Sequence, residues 1–228
     1  HIRAAERFIY IENQYLTHLP IAEELNRQLK QKPDLKVLIV SSYNPQGPLE
    51  KTVMWQGRIK FWEVLEKDLP PGRVLRAYPV SLDEEGADHP VRIHSKIMAV
   101  DDRIFHVGSA NLNARSMGTD SECDLTCYAE NAYHEKGILG LRNGLISEHT
   151  GKSVTEAAPD LRSLLFPDPQ SRKALRRIDD TKFVAETVGD TIYKIADRDR
   201  PPIPEPLDPK SEKTENIPFW RKWRRHAF

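Results

Sequence analysis

What the chain lacks narrows it first. Cysteine is scarce: Cys123 and Cys127 are the only two in 228 residues. They fall four apart in a stretch that reads as one strand, where a disulfide between them is sterically implausible and two thiolates cannot complete a zinc site. Both are read as buried free thiols. Net charge is absent too, with 34 Lys plus Arg against 34 Asp plus Glu. No overall field draws a polyanion, so no specific nucleic acid partner is expected. No apolar run approaches the roughly 20 residues that span a bilayer. The chain opens at His1 without a Met, a basic n-region or an apolar h-region, and is read as a piece of something longer, cytoplasmic or peripheral at a membrane. There is no internal repeat.

What is present is a globular mixture, 39% hydrophobic and 30% charged, long enough for one sizeable domain plus a tail. Arg7 to Glu12 alternates apolar and polar side chains, the period of a strand, and runs into the polar cluster Asn13, Gln14, Tyr15. Leu19, Ala22, Leu25 and Leu29 then recur at helical spacing, with Pro20 in the first turn and Pro33 as a stop. Leu35 to Ser42 is a continuous β-branched run, the signature of a strand covered on both faces. A second helix is predicted from about Lys51 to Asp68, then strands over Val74 to Val80, Val91 to Val100 and Arg103 to Val107, with Asp101 and Asp102 as a hairpin turn. Ser121 to Glu130 reads as another strand and Ala132 to His149 as a helix ending at Gly151. Strand and helix alternate, so the fold class is α/β, an α/β/α sandwich on a mixed, largely parallel sheet. One or two charged helices are expected from about Ser171 to Asp197, then a Pro-rich linker and a basic aromatic tail.

On the strand from Val91, His94 and Lys96 are two apart and project from one face, placing an imidazole beside an ammonium. Beyond the hairpin, Gly108, Ser109 and Asn111 return a hydroxyl and an amide to the same end. This set suits a phosphodiester, whose oxygens need positive charge and amide donors and whose cleavage needs a nucleophile and an acid. An imidazole attacks phosphorus when neutral or donates a proton when charged, but one ring cannot do both at once. Of the other seven histidines only His134 has a lysine two residues on, and it lies in the predicted helix with Leu141 where His94 has Asp101, so a second half-site is expected from a missing N-terminal part or a second subunit. Glu122 is the candidate carboxylate to hold the second nitrogen of the His94 ring.

H-S-K-I-M-A-V-D over His94 to Asp101, followed by G-S-A-N over Gly108 to Asn111, resembles the H-x-K-x-x-x-x-D signature of the phospholipase D superfamily. I-Y-I-E-N-Q-Y over Ile9 to Tyr15 and N-A-R-S-M-G-T-D-S-E over Asn113 to Glu122 look like the flanks of the second such motif in phospholipases D proper. The resemblance covers about Arg7 to Glu130 and implies a metal-independent, cofactor-free reaction through a phosphohistidine at two H-x-K motifs. It makes His94 the general acid, Lys96 and Asn111 phosphate ligands, Ser109 a supporting hydroxyl and Glu122 the orienter of His94. Asp101 and Gly108 are given structural roles, and Glu12, Asn13 and Gln14 are candidates to line the site.

The divisions expected are a catalytic half-domain over 1–160, a helical extension over 161–199 and a Pro-rich linker with basic tail over 200–228. The expected activity is hydrolysis of a phospholipid headgroup ester. A phosphatidyltransferase of cardiolipin synthase type, a single-motif homodimeric nuclease and a non-catalytic lipid-binding remnant are the alternatives. Phe219 to Phe228 holds four cations and four aromatics, a composition suited to an anionic membrane surface.

Overall fold

A computed structural model of the chain describes residues 1–43 and 48–179. Its frame is one eight-stranded sheet. The first strand, β1, is Phe8–Glu12, followed by helix α1 over Leu19–Gln31 and strand β2 over Lys36–Val40. Helix α2, Pro48–Glu66, leads to β3, Val74–Leu82, and the short β4, Asp88–Pro90. The hairpin is β5, Ile97–Val100, and β6, Ile104–Gly108, followed by the short α3, Ala114–Gly118. Strand β7, Asp124–Tyr128, helix α4, Ala132–Thr150, and strand β8, Lys173–Arg177, complete the order.

The strands lie in the order β4-β3-β2-β1-β5-β6-β7, with β8 on the free edge of β3. The sheet is mixed as expected, but parallel pairing is confined to β1 with β2 and β2 with β3. Every other ladder is antiparallel, including the β3–β4 and β5–β6 hairpins. Alternation along the central strands splits the core into two layers. Ile9, Ile11, Val37, Ile39, Met98 and Val100 pack under α1 and α2. Phe8, Tyr10, Leu38, Val40 and Ala99 face Ile146 of α4 and Leu175 of β8. All five residues of β1 are therefore buried, although its sequence alternates: the polar ends of Tyr10 and Glu12 find partners inside the second layer.

Local chemistry sets the ends of α4. Asn131 caps its start by accepting from the His134 backbone N–H at 3.0 Å. Gly151 closes it in the left-handed region at φ 70°, where a Cβ is penalised. Residues 173–177, expected within a charged helix, form β8: K-A-L-R-R sends Ala174 and Leu175 into the core, and its backbone completes the free edge of β3. Residues 161–177 thus pack on the sheet, with Leu161 and Leu164 buried in the α4 layer. The rest of the expected helical extension, the Pro-rich linker and the basic tail lie outside the described residues. Cys123 and Cys127, expected to be buried, are both exposed. Cys127 belongs to β7, the outermost strand, which is largely uncovered, and Cys123 immediately precedes it.

The turn between β5 and β6 is tied to the start of β1. Asp101, at φ 51°, accepts the backbone N–H groups of Glu6, Arg7 and Phe8 at 3.0, 2.9 and 2.9 Å. The fully buried Arg142 of α4 donates to the Asp101 carbonyl and to the Asp102 carboxylate at 3.2 and 3.0 Å. Replacing Asp101 by Ala strands three donors at once and is expected to cost about 3 kcal/mol of stability in urea unfolding. Asp101→Asn, which keeps one acceptor and tolerates the left-handed turn, should lose less. Equal midpoints for wild type and Asp101→Ala would contradict this account.

Candidate active site

The expected site residues collect where β6 ends and β7 begins, next to the entry of β5. The segment carrying His94 and Lys96 is extended but precedes the ladder, which starts at Ile97. Its last residue is already tied in, since the Gly108 N–H donates to the Lys96 carbonyl at 3.0 Å. The His94 ring is exposed, and no hydrogen bond reaches it from the described residues. Lys96 is only 7% exposed. Its ammonium donates to the His94 carbonyl at 2.7 Å. Burial pulls the Lys96 ammonium below its ordinary pKa, against the opposing charge of Glu122.

Ser109 and Glu122 form a unit. The Ser109 hydroxyl donates to Glu122 Oε2 at 2.5 Å and accepts the Cys123 N–H at 2.9 Å. The Ser109 N–H in turn donates to the Cys123 carbonyl at 3.2 Å. Hydrogen bonds from Ser109 and Ser116 hold the Glu122 carboxyl below its ordinary pKa, against burial, and the Lys96 charge assists. The carboxylate expected to orient the His94 ring is thus bonded to Ser109 in this structure. Gly108 has no room for a side chain, because an added Cβ would lie 1.6 Å from Asp124 Oδ1. That close approach lets Asp124 accept the Ala110 N–H at 3.2 Å and pin the turn before Asn111. Asn111 keeps its side-chain oxygen buried with no hydrogen-bond partner. An unpaired buried acceptor costs on the order of 1–3 kcal/mol, a cost that functional sites carry.

The polar cluster after β1 divides by face. Asn13, 3% exposed, braces the 110–112 turn: its Oδ1 accepts the Leu112 N–H at 3.1 Å and its Nδ2 donates to the Ala110 carbonyl at 3.4 Å. A cavity of about 400 Å³ opens beside it, lined by Ile11, Asn13, Lys96, Met98, Leu112 and Asp124 among others. Gln14 is half-buried and donates to the Tyr15 hydroxyl at 3.2 Å. Glu12 points to the opposite layer, away from Lys96. There it is bonded to the hydroxyls of Tyr10 and Ser95 and lies 2.9 Å from His149 Nε2. Asp124, Ser95 and His149 were not singled out from the sequence. The spacing signal was there for Ser95, which sits between His94 and Lys96 and must face the other way. His149 lies 137 positions from Glu12, and nothing local announces the pair. Among the described residues no group of His, Cys, Asp and Glu could hold a metal ion, and no helix is long and apolar enough to cross a membrane.

An H-x-K pair at the end of a mixed α/β sheet, faced by a G-S-x-N turn, is the arrangement of a phospholipase D-like domain. Residues 1–136 match the family model described as "Cardiolipin synthase, PLD-like domain", and the chain belongs to this phospholipase D-like family. It is 28% identical to phospholipase D alpha 4 of Arabidopsis thaliana, the alignment covering 87% of this chain and 32% of that protein. It is 30% identical to phospholipase D A of Dictyostelium discoideum over 54% of this chain and 12% of the relative. The chain thus spans about a third or less of the length of these relatives. Among solved structures it is similar to Nuc, a phospholipase D family member from Salmonella typhimurium, with TM-score 0.41 and 17% identity over 60% of this chain and 76% of that one.

Glu12 gives the site a pH signature. Burial alone would raise its carboxyl pKa, but hydrogen bonds from His149, Ser95 and Tyr10 and the charge of His149 outweigh it and hold the value below the ordinary one. A carboxyl lowered by folding adds stability above its unfolded pKa and loses it as pH falls through the folded one. Wild type should therefore lose stability on acidification below the ordinary glutamate range more steeply than Glu12→Gln. Parallel stability curves for the two in that window would refute the assignment.

Proposed function

We propose that the chain carries one half-site of a phospholipase D-type phosphodiesterase, which cleaves a phospholipid headgroup ester to phosphatidic acid and an alcohol. The observation behind this reading is the exposed His94 imidazole two residues from a buried Lys96, with the Ser109–Glu122 pair and Asn111 at the neighbouring turn. Family membership and the phospholipase D names of its relatives support the substrate class.

The division of labour follows from charge and reach. Lys96 neutralises the charge on the non-bridging phosphate oxygens, the Asn111 Nδ2 group donates to them, and Ser109, fixed by Glu122, adds a hydroxyl. A histidine of the second half-site attacks phosphorus and forms the phosphohistidine, while His94 as imidazolium protonates the departing alkoxide. Water, deprotonated by the now neutral His94, then releases phosphatidate and restores the attacking ring. All charge stabilisation comes from side chains, so the reaction is expected to survive EDTA. The single H-x-K-x-x-x-x-D motif supports a second half-site supplied by another segment or another copy.

Release of alcohol from phosphatidylcholine, or of nitrophenol from bis-nitrophenyl phosphate, tests the reading when molecular mass is recorded alongside. His94→Ala is expected to remove turnover by about 10²–10⁴-fold, the usual share of a positioned acid. Full activity in that variant sinks the proposal. Turnover by a dimer of this chain supports pairing between copies, whereas inactivity of a folded monomer supports a partner half in another segment. The lipid substrate also suits a membrane-seeking end. Deleting Phe219 to Phe228 should weaken sedimentation with phosphatidylserine vesicles at low salt, and equal sedimentation would remove the tail from the account.

A further inference from the structure

Between Pro90 and Ile97 the chain belongs to no ladder, and between its backbone bonds at Val91 and Lys96 the stretch that carries His94 is held by side chains. On the N-terminal side, Ile93 exchanges two bonds with one hydroxyl: its N–H donates to Ser42 Oγ at 2.9 Å and its carbonyl accepts from it at 3.1 Å. On the C-terminal side, Gly108 donates to the Lys96 carbonyl at 3.0 Å. In the middle stands Ser95. Its side chain reaches the Glu12 and His149 side of the sheet, under α4, whereas Lys96 lines the cavity with Ile11 and Met98 on the other. There its hydroxyl donates to Glu12 Oε2.

From this arrangement we infer that Glu12 is a positioning residue for His94 and Lys96, acting through Ser95, with Tyr10 and His149 holding its carboxylate in place. The inference rests on the reading of His94 and Lys96 as the reacting pair. Glu12 ends β1 opposite Ile97, one residue beyond Lys96, so its carboxylate lies directly behind the pair. It is 3% exposed and engages three elements at once. Tyr10 comes from β1 itself, His149 at 2.9 Å from the last turn of α4, and Ser95 from the reactive segment. A buried carboxylate costs several kcal/mol in desolvation and is retained where its bonds fix a geometry that an apolar residue would leave loose. Both oxygens are engaged, and the donors on Oε1 set the direction in which Oε2 meets Ser95. The benefit falls on chemistry, since a displacement of about 1 Å at a reacting group can cost on the order of 10²-fold in rate. Glu12 does not touch the phosphate face and is no catalytic residue.

The test is backbone 15N relaxation on the 228-residue chain, for wild type, Ser95→Ala, Ser95→Thr and Glu12→Gln. Order parameters at 94–96 should be about 0.85 in wild type, below about 0.6 in Ser95→Ala, and restored in Ser95→Thr, which returns the hydroxyl. Glu12→Gln, which keeps the volume and one acceptor oxygen, should fall between. Residues 40–42 and 107–109 should keep their wild-type values in all four. In whichever assembly shows His94-dependent turnover, Ser95→Ala should lower kcat about tenfold or more and raise KM by a smaller factor, because the loosened Lys96 still meets the phosphate beside Asn111 while the alignment of His94 is lost. Unchanged order parameters at 94–96 in both Ser95→Ala and Glu12→Gln would overturn the inference, as would a rise in KM with unaltered kcat. If His94→Ala keeps full turnover, the catalytic reading fails on its own, and the relaxation data still decide whether Glu12 holds the segment.

Discussion

The Asp101 carboxylate is the constraint on which the rest of this structure depends. It takes three successive backbone N–H groups at the entry of β1 and so fixes how the β5–β6 hairpin lies against the centre of the sheet. The resulting register sets Ile9 against Val100 and Glu12 against Ile97. The active end lies four residues further along β1, about 14 Å away at ~3.4 Å per residue. A slip of one residue would turn every side chain of β5 to the other layer. Met98 would leave the α1 face, and Lys96 would exchange places with Ser95. The fixed aspartate of the H-x-K-x-x-x-x-D pattern thus spends its carboxylate on the β1 backbone; it sets the register that decides which face carries His94 and Lys96.

The two layers of the core then carry separate duties. The α1 and α2 side, built on Ile11, Met98 and Leu112, forms the floor beside Lys96 and the cavity next to it. The α4 side, built on Tyr10, Ala99 and Ile146, encloses the charged cluster of Glu12 and His149. The sheet stands between as a partition, with a reactive surface in front and a polar anchor behind. Ser95 crosses it within a single residue of both His94 and Lys96.

Much of this was legible in the sequence wherever one local cause dominated. The β-branched run of β2, the Asp101 and Asp102 turn, and Gly151 at the end of α4 each answer to a short-range rule and stand where those rules put them. The family was legible because its motif places chemically unusual neighbours at fixed spacing. What escaped was set by distant partners. K-A-L-R-R becomes β8 only because β3 offers an open edge nearly a hundred residues earlier. Cys123 and Cys127 look like core thiols until β7 proves to be the last strand of the sheet. Glu12 was singled out as a lining residue, yet its layer follows from the register of β1 and its partner from the far end of α4.

The exposure of those two thiols gives the chain a built-in observer. The Cys123 N–H donates to the Ser109 hydroxyl and its carbonyl accepts the Ser109 N–H, so Cys123 lies directly against the G-S-A-N turn. With only two cysteines in the sequence, substituting Cys127 leaves a single attachment point there. A fluorophore at Cys123 would register the arrival of a phosphodiester, or of a second half-site, as a change in its own surroundings, whether or not any bond is then broken.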